Sequence, residues 1–253
     1  MNALAAWLDA QHARPAAPTR WWYAALLLGI AVTLFGAYLT TVFPQAGHAI
    51  PPGYGAPVLA FEFAGNQNDL IAIFGPDSDP QQVARLAAMR AGNERDYLYM
   101  LLYAGFLFSG CIALWRDLRL RWLLAAAALP IVAAIADAYE NWLLLDIQAA
   151  FTLGDYSPAM ASLAVPVAAK FLLLAATNAV LGAAMMQLGR WWALAGLLVI
   201  LAAVPTVMAI ITPAAFAWAL LPSAGAGWIA LLLLAATASW RAAAGGRPLA
   251  DWS

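Results

Sequence analysis

The chain has 253 residues, 65% of them hydrophobic and only 10% charged, with a net charge of -1 and a mean hydropathy of +0.78. Soluble domains are about 45–50% apolar and about 25% charged, so a water-soluble globule and a disordered chain are both excluded. The few arginines form no basic stripe, which argues against a nucleic-acid partner; one cysteine (Cys111) allows no internal disulfide, and His12 and His48 lie outside the apolar runs, so no metal or other cofactor is expected.

Residues 1–20 read as a cytoplasmic N-terminal segment, with Leu4, Trp7 and Leu8 as at best a short interfacial helix. A helix needs about 20 apolar residues to cross the hydrocarbon core, and six runs qualify: about 21–42, 96–115, 122–145, 164–188, 191–211 and 216–240. The first run is longer than the roughly 7–15 apolar residues of a signal peptide, and no clear A-x-A site follows it, so it is expected to stay as a span. Pro205, Pro213 and Pro222 are each able to end or kink a helix, which blurs the boundary between the last two spans.

The first two spans are separated by a long segment, 43–95, read as an extracytoplasmic lid. Pro44, Pro51, Pro52, Gly53 and Gly55 open it as irregular chain. Residues 57–64 (PVLAFEFA) are apolar but too short to cross, so they are expected at the outer interface or packed on the bundle. Residues 75–80 (GPDSDP) read as a turn whose Asp or Ser caps the next helix. Residues 82–95 then read as a short amphipathic helix with Val83, Leu86 and Met89 on one face.

Arginine placement predicts the orientation. Arg14, Arg20, Arg116, Arg119, Arg121, Arg190, Arg241 and Arg247 all fall on one side of a six-span chain, together with Trp21, Trp22, Trp115, Trp122, Trp191, Trp192 and Trp240. That side is expected to be cytoplasmic, with the 241–253 tail inside. The fold class is therefore an all-α polytopic transmembrane bundle of six spans, both termini cytoplasmic, under a partly helical outer lid. Spans two to four (96–188) are expected to form a polar-site core, and spans five and six (191–240) an uncharged extension.

Charges inside a membrane helix cost at least about 2.5–3.5 kcal/mol each on insertion scales, so each calls for a reason. Asp137, Glu140 and Asn141 are spaced i, i+3, i+4 and share a face of span three. Asp96, Tyr99 and Tyr103 share a face of span two, and Lys170 lies about six residues into span four. At 1.5 Å per residue Asp137 falls about 22 Å along its span, in the outer half, at the depth of Lys170 and the Asp96 stripe. Three acids against one lysine require a bound proton, a cation or a ligand ammonium for balance. The simpler reading is interhelical glue, whose hydrogen bonds average only about 0.6 kcal/mol.

Individual residues carry alternatives of their own. Tyr103 is also readable as an interfacial anchor, Asp96 as an N-cap at the start of span two, and Glu62 as solvated lid rather than site. Thr177 and Asn178 either extend the polar path or bond to a neighbouring helix. Cys111 reads as lipid-side packing and Met185 and Met186 as apolar filler.

At these positions the chain resembles a functionally unassigned family of bacterial multi-pass membrane proteins. Its pattern is L-x-F-E-x-A after the first span (Leu59, Phe61, Glu62, Ala64), Asp followed by aromatics in the second (Asp96, Tyr103), A-D-x-x-E-N in the third (Ala136, Asp137, Glu140, Asn141) and Lys in the fourth (Lys170). The resemblance covers about residues 20–185; it implies that these positions belong together and brings no reaction. A looser similarity to the emopamil-binding and sterol-isomerase type of bundle stops at its catalytic histidine, which has no counterpart in spans two to four.

The expected function is a bacterial inner-membrane protein that binds a membrane lipid or lipophilic small molecule, with Glu62, Asp96, Tyr99, Tyr103 and Asn141 as binding residues. Two alternatives keep the same residues. In a membrane-embedded acid/base enzyme of isomerase or cyclase type, Asp137 or Glu140 moves the proton and Lys170 tunes it. In a proton- or ion-coupled carrier the two acids are the coupling site, although the sequence has no inverted repeat. A structural subunit of a larger membrane complex is the remaining class.

Overall fold

The computed structural model describes residues 18–155, 157–246 and 249. The N-terminal stretch with Leu4, Trp7 and Leu8, together with Arg14 and Arg247, lies outside the described residues. Among the described residues all regular structure is helical, and six helical segments are long and apolar enough to cross a membrane. The chain is a multi-pass all-α bundle.

The first span is α1 (Pro18–Val42), with a proline in its first turn, where the missing N–H costs nothing. The lid carries two short helices, α2 (Pro57–Glu62) and α3 (Gln67–Phe74). A reciprocal capping box starts α3. The Asn66 side chain accepts from the Asn68 and Asp69 amides, and the Asp69 carboxylate accepts from the Asn66 amide.

Residues 82–95 are not a separate helix. They run without a break into the second span as α4 (Gln82–Leu118), 37 residues long. At 1.5 Å per residue that is about 55 Å, well beyond a core of about 30 Å, so its first turns project past the apolar layer and brace the lid. Asp96 therefore sits mid-helix and is no N-cap. Ala, Leu, Met, Arg and Glu are strong helix formers whether or not lipid surrounds them, which is why the charged residues mark the edge of the apolar run and not the end of the helix.

The third span breaks into α5 (Trp122–Ala126) and α6 (Leu129–Thr152) just before Pro130, and it extends seven residues beyond the expected end at 145. The fourth is α7 (Ala164–Met185). The fifth is α8 (Arg190–Ala202) and α9 (Val204–Ile211), restarted at Pro205. A short α10 (Pro213–Phe216) precedes the sixth span, α11 (Leu220–Ala243), where Pro222 lies in the first turn and leaves no hydrogen bond unmade.

The spans pack as a closed ring: α1 on α4, α4 on α6, α6 on α7, α7 on α8, and α11 against α8, α7 and α1. Spans five and six are therefore wall rather than appendage. Two apolar cores stack along this ring. The inner one joins Trp22, Phe106, Leu107, Leu181 and Leu231; the outer one joins lid residues Leu59, Phe61, Leu70 and Phe74 to Leu143, Ile147 and Phe171. Lid side chains of the outer core contribute about 1.5–3 kcal/mol each by leaving water; in the inner core, where lipid is as apolar as the side chains, close packing holds the helices together. The expectation that 57–64 lies at the interface or on the bundle resolves to the second: Phe61 is fully buried. Cys111 is also inside the inner core and not against lipid.

Candidate functional site

The polar residues lie between the two cores, where α2 of the lid meets α4, α6 and α7. Lys170 is their centre. Its Nζ donates to Glu140 Oε1 at 2.7 Å and stands 3.3 Å from both Asp137 Oδ1 and Glu62 Oε1. It also lies 4.5 Å from the Phe171 ring centroid. Helical spacing does this work on α6, since Asp137 and Glu140 are one turn apart on its inward face. On the lid, α2 ends at Glu62, and burial of Leu59 and Phe61 drives that end into the bundle.

A second layer of bonds surrounds the first. Tyr103 Oη donates to Asp137 Oδ2 at 2.9 Å, and Asn141 Nδ2 donates to Asp96 Oδ2 at 3.2 Å and to the Asn93 carbonyl at 3.0 Å. The structure thus brings together Glu62, Asp96, Tyr103, Asp137, Glu140, Asn141 and Lys170. Tyr99 stands apart from the carboxyls. Its ring packs at 5.8 Å on Tyr103 and 5.9 Å on Trp228. Asn178 donates to the carbonyls of Ser223 and Ala224, the interhelical alternative, and Thr177 bonds to Leu173 of its own helix.

Compared with protein-family models, curated proteins and solved structures, the chain matches none. The chemistry of the site is read from its own residues.

Three carboxylates meet one ammonium directly, and Asp96, held by Asn141, adds a fourth acid nearby. All of these but the half-buried Asp96 are nearly inaccessible to water. Removing an ion from water costs several kcal/mol after relaxation, so four acids around one lysine leave the cluster short of positive charge. One oxygen each of Glu62 and Glu140 is buried without a hydrogen-bond partner, which is an unmet demand for a donor. Among the described residues no His, Cys, Asp and Glu group suits a metal ion; the position a cation would take is filled by Lys170 Nζ.

Two residues escape sequence reasoning. Asn93 extends the stripe of Asp96 and Tyr103 outward at i, i-3 spacing, but a helix boundary placed at 95 hides it. Trp228, from the sixth span, packs at 5.5 Å on the Tyr103 ring that orients Asp137, and nothing in a lone apolar-span tryptophan announces that.

Beside the cluster, α4 and α6 also form an apolar groove of about 540 Å³, lined from Tyr97 and Ala138 at its outer end to Phe108 and Ile131 at its inner end. Tyr97 Oη donates across that outer end to the Ala138 carbonyl at 3.4 Å. The groove and the acid cluster therefore share two helices, one on the outward side of the seam and one on the inward.

The lid is held by a second, peripheral ion group. Asp79 Oδ2 is 2.7 Å from Arg85 Nη1 and 2.6 Å from His48 Nδ1, while Arg85 also donates to the Phe74 carbonyl. The Arg85 hydrogen bond, then the Gln81 amide, holds the Asp79 carboxyl down at about 2. Glu62 moves the other way: burial raises its carboxyl above the ordinary 4.5, against the opposing pull of Lys170.

The signs differ. A depressed acid stabilises above its unfolded value and fails only as pH falls through about 2, so the Asp79 carboxylate keeps its bond to Arg85 across neutral pH. A raised acid favours the folded state below 4.5, and that advantage is lost as pH rises through its higher folded value. Hydrogen exchange over 57–64, corrected for intrinsic rates, is expected to slow as pH falls towards 5, and Glu62→Gln to flatten that dependence. An Asp79→Asn chain is expected to exchange faster over 74–82 at all neutral pH values. A dependence unchanged by Glu62→Gln contradicts the assignment.

Proposed function

We propose that this is a bacterial cytoplasmic-membrane protein that binds a lipid-like amphiphile, with the apolar part in the α4/α6 groove and the polar end at the groove's outer mouth, across α4 and α6 from the acid–lysine cluster. The observation that carries this reading is the shared seam: one pair of helices supplies both an apolar groove and, on its other side, Asp96, Tyr103 and Asp137. From Tyr97 to Phe108 the groove runs eleven residues, about 16 Å, close to one leaflet of a core about 30 Å thick. Arg116, Arg119, Arg121, Arg190 and Arg241 put the opposite end of the bundle in the cytoplasm, so the groove belongs to the outer leaflet. On this reading the chain is also a member of the bacterial family its motifs resemble.

Native mass spectrometry of the full chain, released from detergent micelles, tests the reading. One phospholipid-sized adduct is expected on the unaltered protein. Ala134→Phe fills the groove at mid-length and is expected to remove the adduct at least tenfold, while circular dichroism stays helical. An adduct that survives Ala134→Phe contradicts it.

The surplus of acids favours a second reading in which the site exchanges a proton with its ligand. Asp137 or Glu140 would donate or accept the proton and Lys170 would hold the remaining charge, as an acid/base enzyme or a coupled carrier requires. Lipid composition unchanged by both Asp137→Asn and Glu140→Gln argues against the enzyme; uptake into proteoliposomes independent of pH argues against the carrier.

A further inference from the structure

The unbroken α4 helix carries the groove's lining stripe out of the bilayer. Leu101, Tyr97, Glu94 and Arg90 follow one another at four- and three-residue steps, so Glu94 and Arg90 stand directly above the groove on the same face. They form an exposed pair, Arg90 Nε to Glu94 Oε1 at 2.8 Å. Glu94 rises about 4.5 Å above Tyr97 along the helix, inside a headgroup layer about 5–7 Å thick on each side. The Arg90 side chain reaches back down to it. The neighbouring arginines are engaged elsewhere: Arg85 with Asp79 and the Phe74 carbonyl, Arg95 with the Ala91 carbonyl of its own helix.

We infer that the groove takes a phospholipid whose headgroup carries both a phosphate and an ammonium, with Arg90 on the phosphate and Glu94 on the ammonium. This rests on the reading of the groove as a lipid site. An exposed i, i+4 ion pair is weak, so a headgroup of opposite charges inserts between its members at little cost. Guanidinium matches the paired oxygens of a phosphate, and a carboxylate accepts from an ammonium. A purely anionic headgroup would satisfy Arg90 but be repelled by Glu94. A neutral diacylglycerol would satisfy neither. The rigid helix holds both charges at headgroup height, which a loop at the same place would not.

The test offers the full chain in micelles an equimolar mixture of phosphatidylethanolamine, phosphatidylglycerol and diacylglycerol with identical acyl chains, read by native mass spectrometry. Phosphatidylethanolamine is expected to be retained about fivefold over each of the others, the ratio a weak charge contact supplies. Glu94→Gln is expected to abolish its advantage over phosphatidylglycerol, and Arg90→Gln to reduce its advantage over diacylglycerol and to drop phosphatidylglycerol below diacylglycerol. Both side chains are exposed, so neither change disturbs the fold. Equal retention of the three lipids, all lost in Ala134→Phe, overturns the headgroup assignment and leaves the groove standing. Retention that Ala134→Phe does not reduce overturns the groove itself.

Discussion

Replacing Lys170 by Met is expected to destabilise the protein by about 3–5 kcal/mol, the typical cost of stranding buried charge by removing its partner. The ammonium is the shared partner of Glu62, Asp137 and Glu140, each within 3.3 Å. Without it three carboxyl groups face one another in a space with almost no water. The lid should loosen too, because Glu62 is the carboxyl that ties α2 to the bundle. Methionine keeps most of the volume and the contact with Phe171, so lost packing is a minor part of the effect. Adding Glu62→Gln, Asp137→Asn and Glu140→Gln to Lys170→Met should recover most of the stability, since the three stranded charges go too. Unfolding in mixed micelles measures this; a single substitution that costs nothing would mean the cluster contributes no ionic interaction.

Placing a leucine at Gly182 is expected to be nearly as damaging, for a different reason. A Cβ at Gly182 would lie 2.6 Å from the Gly196 carbonyl oxygen, and one at Gly196 would collide with the Gly182 carbonyl in turn. The backbones of α7 and α8 touch there, as small residues permit in membrane helices. Any side chain forces the helices apart, and overpacking costs about 1–3 kcal/mol even where side chains alone must move. Lys170 is twelve residues up the same helix, about 18 Å away, and its carboxyl partners lie on α2 and α6. Thermal unfolding should therefore shift sharply while the lipid adduct is kept. Loss of the adduct in Gly182→Leu would tie the groove to the α7/α8 contact.

The contrast between these two sites shows what the amino-acid sequence makes visible. Six spans follow from apolar length, because lipid tolerates almost nothing else. Asp137, Glu140, Asn141 and Lys170 stand out for the converse reason, as charges and amides where the solvent forbids them, and helical spacing alone aligns the α6 trio. The continuation of α4 to Gln82 is hidden, because a helix that leaves the bilayer changes its composition but not its backbone. Glu62 reads from sequence as site or as surface; the burial of Leu59 and Phe61 is what carries it beside Lys170. The glycine contact and the packing of Trp228 on Tyr103 are properties of tertiary neighbours, and a single helix carries no trace of its neighbour.

The most direct measurement is the structure of the full chain in a nanodisc of mixed bacterial phospholipids, at a resolution that separates lipid from detergent. Continuous density along the groove from Tyr97 to Phe108, with a headgroup at Arg90 and Glu94 and the lid seated on Lys170, is the predicted result. A groove with lipid no better ordered than on the rest of the bundle, beside an intact Glu62–Lys170–Glu140 cluster, would contradict it and leave that cluster as an internal fastening of the lid.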